Sequence, residues 1–273
     1  MIQKIFIALS FLFLVHCASS TEEGVAGIRR RQFLAFPEAQ VNSMAIQSYE
    51  DEKHKAQQKN ALDQNLQQLQ RLQSISRKLI SQTTVFRKDA KDWSWEVHSI
   101  TSPELNAYCM PGGKIIFYSG IIEKLKLTDG EIAAVMGHEI SHALREHGRE
   151  RMSEQLAQQG LLQIAVISGK LDPKYAQLVG IAFLAAMTLP HSRRDETEAD
   201  EIGVELMARA GYDPREAVNL WNKMAAQGGS KPPAFLSTHP ADDQRIENIQ
   251  SLLPKVLPLY QSAASANSFK SSH

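Results

Sequence analysis

Two histidines and a glutamate lie close together in the segment His138-Glu139-Ile140-Ser141-His142. On a helix, residues four apart lie one turn apart on the same face, so His138 and His142 can bind one metal ion together. Glu139 can then reach a water on that ion without binding the ion itself. Zinc lowers the pKa of such a water to roughly 7, and a neighbouring carboxylate accepts the proton as the water attacks a carbonyl. The spacing therefore predicts the centre of a zinc hydrolase.

A catalytic zinc site needs a third protein ligand. His147 is the nearest histidine, but the astacin-like pattern places its third histidine six residues after His142, where Gly148 stands here. That pattern also requires a glycine at the position of Arg145. The third ligand is therefore expected from a segment further along the chain.

The segment 192–200 offers carboxylates on one predicted helix. Glu196 and Asp200 are four residues apart and share a face, whereas Glu198 points elsewhere. One of the two can bind zinc while the other orients a ligand histidine. Helical periodicity alone does not decide which carboxylate has which role.

The elements that must position these residues are mostly helical. Thr128 followed by Glu131 forms a capping-box pattern, which predicts a helix from Thr128 to about His147. Alternating and apolar runs predict two strands, at Trp93–Ile100 and Lys114–Tyr118. The fold class predicted is α+β, mostly α-helical, with a small β-sheet. Further helices are predicted at 50–79, 121–125, 149–168, 174–188, 193–210, 214–227 and 240–253.

The first twenty residues have the order of a secretory signal peptide: a positive charge, an apolar stretch and small residues. The stretch Ile5–Val15 is shorter than the roughly 20 residues that span a bilayer, so export is predicted and a membrane anchor is the alternative. Cys17 lies where a bacterial lipoprotein carries its lipid, although His16 replaces the small residue expected before it. Lipidation of Cys17 and cleavage after Ala18 or Ser20 both remain open.

The rest of the chain divides into three predicted parts. Residues 21–49 lack periodicity and are predicted to be a linker or loosely docked arm, 50–255 the folded domain, and 256–273 a disordered tail. The chain has 30 basic and 30 acidic residues, so no nucleic-acid partner is expected.

Four motifs resemble the zinc peptidase family that includes HtpX, LoiP, BepA, the Oma-type proteases and the CAAX prenyl endopeptidase. They are Leu105–Gly113, His138–His142, Ser192–Gly203 and Ser237–Pro240, in the order found in that family. The resemblance implies a gluzincin-type domain with the sheet at the edge of the active-site cleft. It also implies an exported bacterial member.

The resemblance also implies residue roles. Glu196 becomes the third ligand and Asp200 the carboxylate behind a ligand histidine. His239 is expected to gate the metal, with a capping role as the alternative, and Arg245 to bind a carboxylate or an oxyanion, with a surface ion pair as the alternative. The active-site edge strand is implied at Pro111–Tyr118, and its substrate-binding residues are Pro111, Gly112, Gly113, Lys114, Ile115 and Ile116.

The function predicted is a zinc-dependent endopeptidase with one Zn²⁺ per chain, bound by His138, His142 and Glu196, with Glu139 as the catalytic base. The expected substrates are unfolded or misassembled cell-envelope proteins in the periplasm. Tethering to the outer membrane is expected through a lipid on Cys17 or through a protein partner. The alternative function is a chaperone-like assembly factor for outer-membrane proteins that binds without cleavage.

Overall fold

The computed structural model describes residues 17–158, 173–227, 233–240 and 243–271, which excludes most of the predicted signal peptide. The described chain is mostly helical with one three-stranded sheet, which confirms the predicted α+β class. Two 3₁₀ turns, at Thr83–Val85 and Lys88–Asp92, precede that sheet. The α-helices are α1 (Glu38–Gln58), α2 (Leu66–Ile80), α3 (Ser119–Lys124), α4 (Asp129–Leu144), α5 (His147–Gln158), α6 (Pro173–Thr188), α7 (Arg193–Arg209), α8 (Arg215–Ala225), α9 (Ala234–Thr238) and α10 (Asp243–Ser271).

The sheet contains β3 (Glu96–Ile100), β4 (Ala107–Met110) and β5 (Lys114–Tyr118). Its strand order is β3-β5-β4, with β5 parallel to β3 and antiparallel to β4. The prediction of an edge strand at Pro111–Tyr118 is therefore wrong, because β5 is central and β4 forms the edge. The consecutive apolar residues Ile115–Phe117 are all buried, as expected of a strand that is covered on both faces.

Helix α4 carries the HExxH segment through the core. Thr128 caps its first turn, and the reciprocal hydrogen bonds with Glu131 confirm the predicted capping box. The helix ends at Leu144, before the predicted end near His147. Glu146 adopts a left-handed conformation, with φ of 51°, and α5 begins directly after it. This break sets the direction in which His147 leaves the backbone.

Helices α4 and α7 approach each other backbone to backbone at Gly137 and Gly203. A Cβ atom on Gly203 would lie 2.8 Å from the backbone nitrogen of His138, and one on Gly137 would lie 2.9 Å from the carbonyl oxygen of Gly203. Only glycine permits an approach this close. The contact brings the carboxylates on α7 next to the histidines on α4.

Residues 17–36 form an N-terminal strap that lies along this helix pair. Its two short strands, β1 (Cys17–Ala18) and β2 (Gln32–Phe33), pair antiparallel. The apolar side chains Ile28, Leu34 and Phe36 are buried. The strap is therefore packed against the domain, in contrast to the loosely docked arm predicted for 21–49.

Helix α1 crosses the boundary predicted between 49 and 50. Val41, Ala45 and Tyr49 recur every four residues and are buried, so one continuous helical face packs against the domain. At the other end of the chain, α10 continues to Ser271 through the predicted disordered tail, and Val256 is fully buried. In the described ranges no helix has both the length and the apolar composition to span a bilayer.

Candidate metal centre

Four potential ligands converge at the crossing of α4 and α7. His138 and His142 lie on α4, Glu196 on the first turn of α7, and His239 directly after α9. All four side chains are buried, and their ligand atoms lie within 4.8 Å of one another. The structure thus brings together the three predicted ligands and the predicted gating histidine.

The spacing of these atoms fits a tetrahedral cation. Ligands about 2.0 Å from a tetrahedral zinc lie about 3.3 Å from each other. Nε2 of His138 lies 3.1 Å from Nε2 of His142, 3.5 Å from Oε2 of Glu196 and 3.2 Å from Nδ1 of His239. Nε2 of His142 lies 3.3 Å from Oε1 of Glu196. The cluster offers three imidazoles and one carboxylate, which are ligand types that zinc prefers.

Buried charge also favours a cation here. Burial lowers the pKa of His142 well below its ordinary value, so this imidazole is neutral and able to bind a metal. Burial has the same tendency at His138, but the carboxylates of Glu196 and Asp200 outweigh it and raise the pKa of His138 to about 9. The negative potential that favours a proton on His138 also favours a bound cation.

Glu139 lies beside the cluster but is not one of its four potential ligands. Its Oε1 atom is buried, makes no hydrogen bond and lies 3.4 Å from Nε2 of His239. Burial raises the pKa of Glu139, while the backbone of Cys109 on strand β4 donates a hydrogen bond to its carboxylate. A buried carboxylate with a free oxygen is suited to accept a proton.

His138 is oriented by a carboxylate in direct contact. Its Nδ1 atom lies 2.9 Å from Oδ1 of Asp200, one turn beyond Glu196 on α7. Arg245 on α10 donates two hydrogen bonds to Asp200, each 2.7 Å long, and its guanidinium stacks over Trp221. The structure therefore places Arg245 behind the histidine as a buried partner of Asp200.

Arg245 also contacts Glu196. Its Nη1 atom lies 2.6 Å from Oε2 of Glu196. Burial alone would raise the pKa of Glu196, but His239 and Arg245 outweigh that tendency and hold it well below its ordinary value. The Glu196 carboxylate is thus held charged beside the two α4 histidines.

His142 is supported by a different arrangement. Its Nδ1 atom lies 2.9 Å from Nδ1 of His147, and Nε2 of His147 lies 3.2 Å from Oε2 of Glu198. His147 was not expected to be the third ligand, and it lies instead on the side of His142 that faces away from the cluster. On an unbroken helix it would lie about 140° around the axis from His142. The break at Glu146 allows the two rings to meet.

A cleft of about 480 Å³ opens onto the cluster. Its walls include the edge strand β4, Glu139, His142 and His239. Apolar side chains from β4 and α6 cover much of the rest, including Met110, Phe183, Leu184 and Met187. A second depression of about 780 Å³ lies beside α1 and is adjacent to the cleft, since both are lined by Ser48, Glu52, Tyr118, Phe183 and Leu184.

The predicted substrate-binding residues are mostly elsewhere. Pro111 lines the cleft, but Gly112, Gly113, Lys114, Ile115 and Ile116 do not contribute to its walls. Lys114 instead pairs with Glu96 and bonds the carbonyl oxygen of Ser94, on the far side of the sheet. Substrate binding at these five positions stays a prediction. Lys114, Ile115 and Ile116 lie on the central strand β5, and the two glycines lie in the turn before it.

A comparison with protein families matches residues 66–253 to the model of peptidase family M48. This match spans more than half of the 273-residue chain. The chain belongs to peptidase family M48. The resemblance stated for its motifs is thereby confirmed, and its fold is the gluzincin type of that family.

Curated M48 relatives include the mitochondrial metalloendopeptidase OMA1 of Schizosaccharomyces pombe, 39% identical over 60% of this chain and 48% of that protein. OMA1 of Arabidopsis thaliana is 38% identical over 62% of this chain and 34% of its own length. The beta-barrel assembly-enhancing protease of Escherichia coli is 26% identical over 59% of this chain and 34% of its own length. The chain thus spans about a third to a half of the curated relatives it matches.

Two contacts near the M48 centre were not predicted. His191 lines the cleft, with its ring stacked on His239 at a centroid distance of 5.0 Å and 4.2 Å from the ring of His142. Glu198 was predicted to point away from the site, and it does so, toward His147. An extra histidine close to each predicted motif was the only sequence signal for these contacts.

Proposed function

We propose that this chain is a zinc-dependent endopeptidase that cleaves unfolded or misassembled proteins of the cell envelope. The observation that carries the proposal is the position of Glu139, which lies buried beside the ligand cluster and at the wall of an open cleft. A structural metal site is closed and does not need a free carboxylate beside it.

Each residue at the centre then has a defined task. His138, His142 and Glu196 would hold one Zn²⁺, which would supply a Lewis acid for the scissile carbonyl and for a water. Glu139 accepts the proton of the attacking water and passes it to the leaving amine. Asp200 and Arg245 hold His138 in the orientation that its role requires.

His239 brings a fourth potential ligand atom to the cluster. A catalytic zinc needs one position free of protein ligands. We assign His239 the role of a gate, which must leave the cluster before water and substrate enter. His239 precedes Pro240 at the end of the five-residue helix α9, so a small movement of one short segment is sufficient.

Strand β4 supports an extended substrate. The carbonyl oxygen of Asn106 accepts a hydrogen bond from the N–H of Tyr118 on β5, and that of Met110 accepts one from the N–H of Gly113 in the turn before β5. Residues alternate in an antiparallel ladder, so the carbonyl oxygens of Ala107 and Cys109 point away from β5 toward the cleft. The N–H of Ala107 is bonded to the side-chain oxygen of Asn106, and that of Cys109 to Glu139. A peptide can pair with this edge through its backbone, which tolerates many sequences but requires a locally unfolded chain.

The apolar cleft wall and the requirement for an extended chain favour proteins whose core residues are exposed. Of the relatives reported above, two are named mitochondrial metalloendopeptidases and one a beta-barrel assembly-enhancing protease. We place this chain in the periplasm because of its signal-peptide pattern, with tethering to the outer membrane through a lipid on Cys17 or a protein partner. Mass spectrometry of the natural N-terminus tests the export and the lipid.

The decisive experiment measures zinc content and cleavage of an unfolded protein such as casein, with and without chelator. Glu139→Gln should retain zinc but lose activity about 100-fold or more, because the proton acceptor is removed. Glu247→Gln, an exposed change on α10, is the matched control and should cleave normally. If purified protein holds no zinc, or if Glu139→Gln cleaves as well as the wild type, the proposal is wrong.

Cleavage in cells separates the peptidase from the chaperone-like alternative. If Glu139→Gln restores envelope-protein assembly in cells while proteolysis is absent, binding without cleavage is the function. The peptidase proposal requires that this variant fail to do so.

A further inference from the structure

The second imidazole nitrogen of His142 makes a contact that the proposed function does not explain. Nδ1 of His142 lies 2.9 Å from Nδ1 of His147, whose ring is fully buried, and the two rings meet edge to face. Nε2 of His147 continues the chain to Oε2 of Glu198 at 3.2 Å. Three side chains therefore form one line from the ligand cluster to a buried carboxylate.

Proton positions along this line have one consistent solution when His142 binds a metal. Its Nε2 atom faces the cluster, so Nδ1 carries the proton and donates a hydrogen bond to Nδ1 of His147. His147 is then protonated on Nε2 and donates to Glu198. Each nitrogen has one role, and the carboxylate at the end of the line stabilises the whole arrangement.

Glu198 is in turn held by two arginines. Arg145, which is fully buried, donates from Nε to Oε2 of Glu198 at 2.9 Å. Arg30 of the N-terminal strap contacts both oxygens of Glu198 and both oxygens of Glu150. The strap therefore supplies charge directly to the carboxylate that ends the line.

Other strap residues close the same network. The side chains of Ser19 and Thr21 accept hydrogen bonds of 3.1 Å from Arg145. Gln32, also fully buried, donates to the carbonyl oxygen of Arg145 and to Glu150. The network is thus continuous from the strap to His142, with its central members excluded from water.

We propose that His147 and Glu198 are positioning residues for the metal ligand His142, and that the N-terminal strap is an integral part of the metal centre because Arg30 completes this support. The inference rests on the proposed metal site but not on peptide cleavage. The segment predicted as a linker would then help to determine how tightly the protein holds its metal.

The first test measures zinc affinity by chelator competition on the full chain. His147→Phe removes both hydrogen bonds and should weaken zinc binding about 10- to 100-fold. His147→Asn keeps an acceptor near Nδ1 of His142 and should recover part of the affinity. In the cobalt-substituted protein, the visible spectrum of His147→Phe should differ from that of the wild type, since the ligand imidazole is no longer held in place.

The second test concerns the strap. Arg30→Met should weaken zinc binding about threefold to tenfold, below the range expected for direct partners of a ligand. Arg29→Met is the matched control, because Arg29 is the adjacent arginine, is largely exposed and pairs only with Glu23 at the surface in the described chain. It should bind zinc as the wild type does.

The outcomes are distinct. Wild-type affinity and an unchanged cobalt spectrum in His147→Phe overturn the role of His147, and equal affinities for Arg30→Met and Arg29→Met overturn the role of the strap. If His147→Phe does not fold, Glu198→Gln gives the same decision, since it keeps the side-chain volume and removes the charge. Zinc binding with the predicted dependence but without cleavage supports this inference and refutes the peptidase, whereas intact cleavage with unchanged affinities refutes this inference alone.

Discussion

The two α4 histidines are held by different means. His138 contacts Asp200 directly, and a single arginine from α10 completes the support. Nδ1 of His142 contacts a second imidazole, His147, and the supporting carboxylate Glu198 lies beyond that imidazole. The first support is concentrated in one pair of residues, whereas the second is spread over α5, α7 and the N-terminal strap.

This difference has an energetic consequence. A concentrated support should fail when Asp200 is removed, because this carboxylate links His138 to Arg245. A distributed support should lose less at each step away from the metal, since Glu198 keeps one arginine when the other is lost. The two supports also use opposite ends of the chain, so both termini of the domain bear on one metal centre.

The largest effect is expected from Asp200→Ala. The variant removes the acceptor of His138 and leaves Arg245 without its bidentate partner in a buried position. We expect zinc affinity to fall about 100-fold, and the free energy of unfolding to fall by about 3–5 kcal/mol. Chelator competition and denaturant unfolding measure the two quantities. If Asp200→Ala loses less zinc affinity than His147→Phe, the support of His142 rather than that of His138 is the concentrated one.

Arg145→Met tests the distributed support at its most buried charge. The change leaves Glu198 paired with Arg30 but removes the donor to Ser19 and Thr21. We expect a loss of about 3 kcal/mol in the free energy of unfolding, at the low end for a broken buried pair. Zinc affinity should change less than in Asp200→Ala. If the two variants lose zinc affinity equally, the two supports are equally concentrated.

The concentrated support was accessible from the sequence, whereas the distributed one was not. Glu196 and Asp200 share a helix face at a spacing of four residues, so local periodicity and the family motif both indicate them. The distributed support depends on a left-handed Glu146 and on contacts of the strap with residues more than a hundred positions away. No local pattern specifies such a contact, and the absence of periodicity in 21–49 predicts a linker or loosely docked arm instead.

The sheet gives a similar lesson. The run Ile115–Phe117 indicated a strand correctly, but its apolar character on both faces is typical of a central strand rather than an edge. The edge, β4, has only four residues and alternates buried with half-buried positions. Alternation over four residues is a weak signal, so the strand that lines the cleft was assigned only by the observed pairing.

Gly203→Ala tests the contact that both supports share. A Cβ atom at this position would clash with the backbone of Gly137 and His138, so α4 and α7 must separate. We expect a loss of about 1–3 kcal/mol in stability and weaker zinc binding. Gly180→Ala on α6 is the matched control, because its added Cβ meets no atom within 4 Å. That control should gain up to about 1 kcal/mol from helix propensity, and a similar gain in Gly203→Ala would contradict the close approach.

The smallest expected effect is a pH dependence of strap docking. Burial tends to raise the pKa of Glu150, but the hydrogen bonds from Arg30 and Gln32 outweigh it and lower that pKa below its ordinary value of 4.5. A carboxylate with a lowered folded-state pKa stabilises the fold above the unfolded-state value, and this stabilisation is lost as pH falls below it. Strap docking should therefore weaken below about pH 4.5.

Hydrogen exchange or limited proteolysis of residues 19–36 between about pH 6 and pH 3 measures this docking. Glu150→Gln keeps the side-chain volume but has no charge to lose, so its strap should be less protected at pH 6 and should change less on acidification. Such a result would show that the support of His142 is more sensitive to acid than the support of His138. If the wild type and Glu150→Gln lose protection in parallel, the strap is held by its apolar residues Ile28, Leu34 and Phe36 rather than by charge, and the contrast between the two supports is smaller than their contacts indicate.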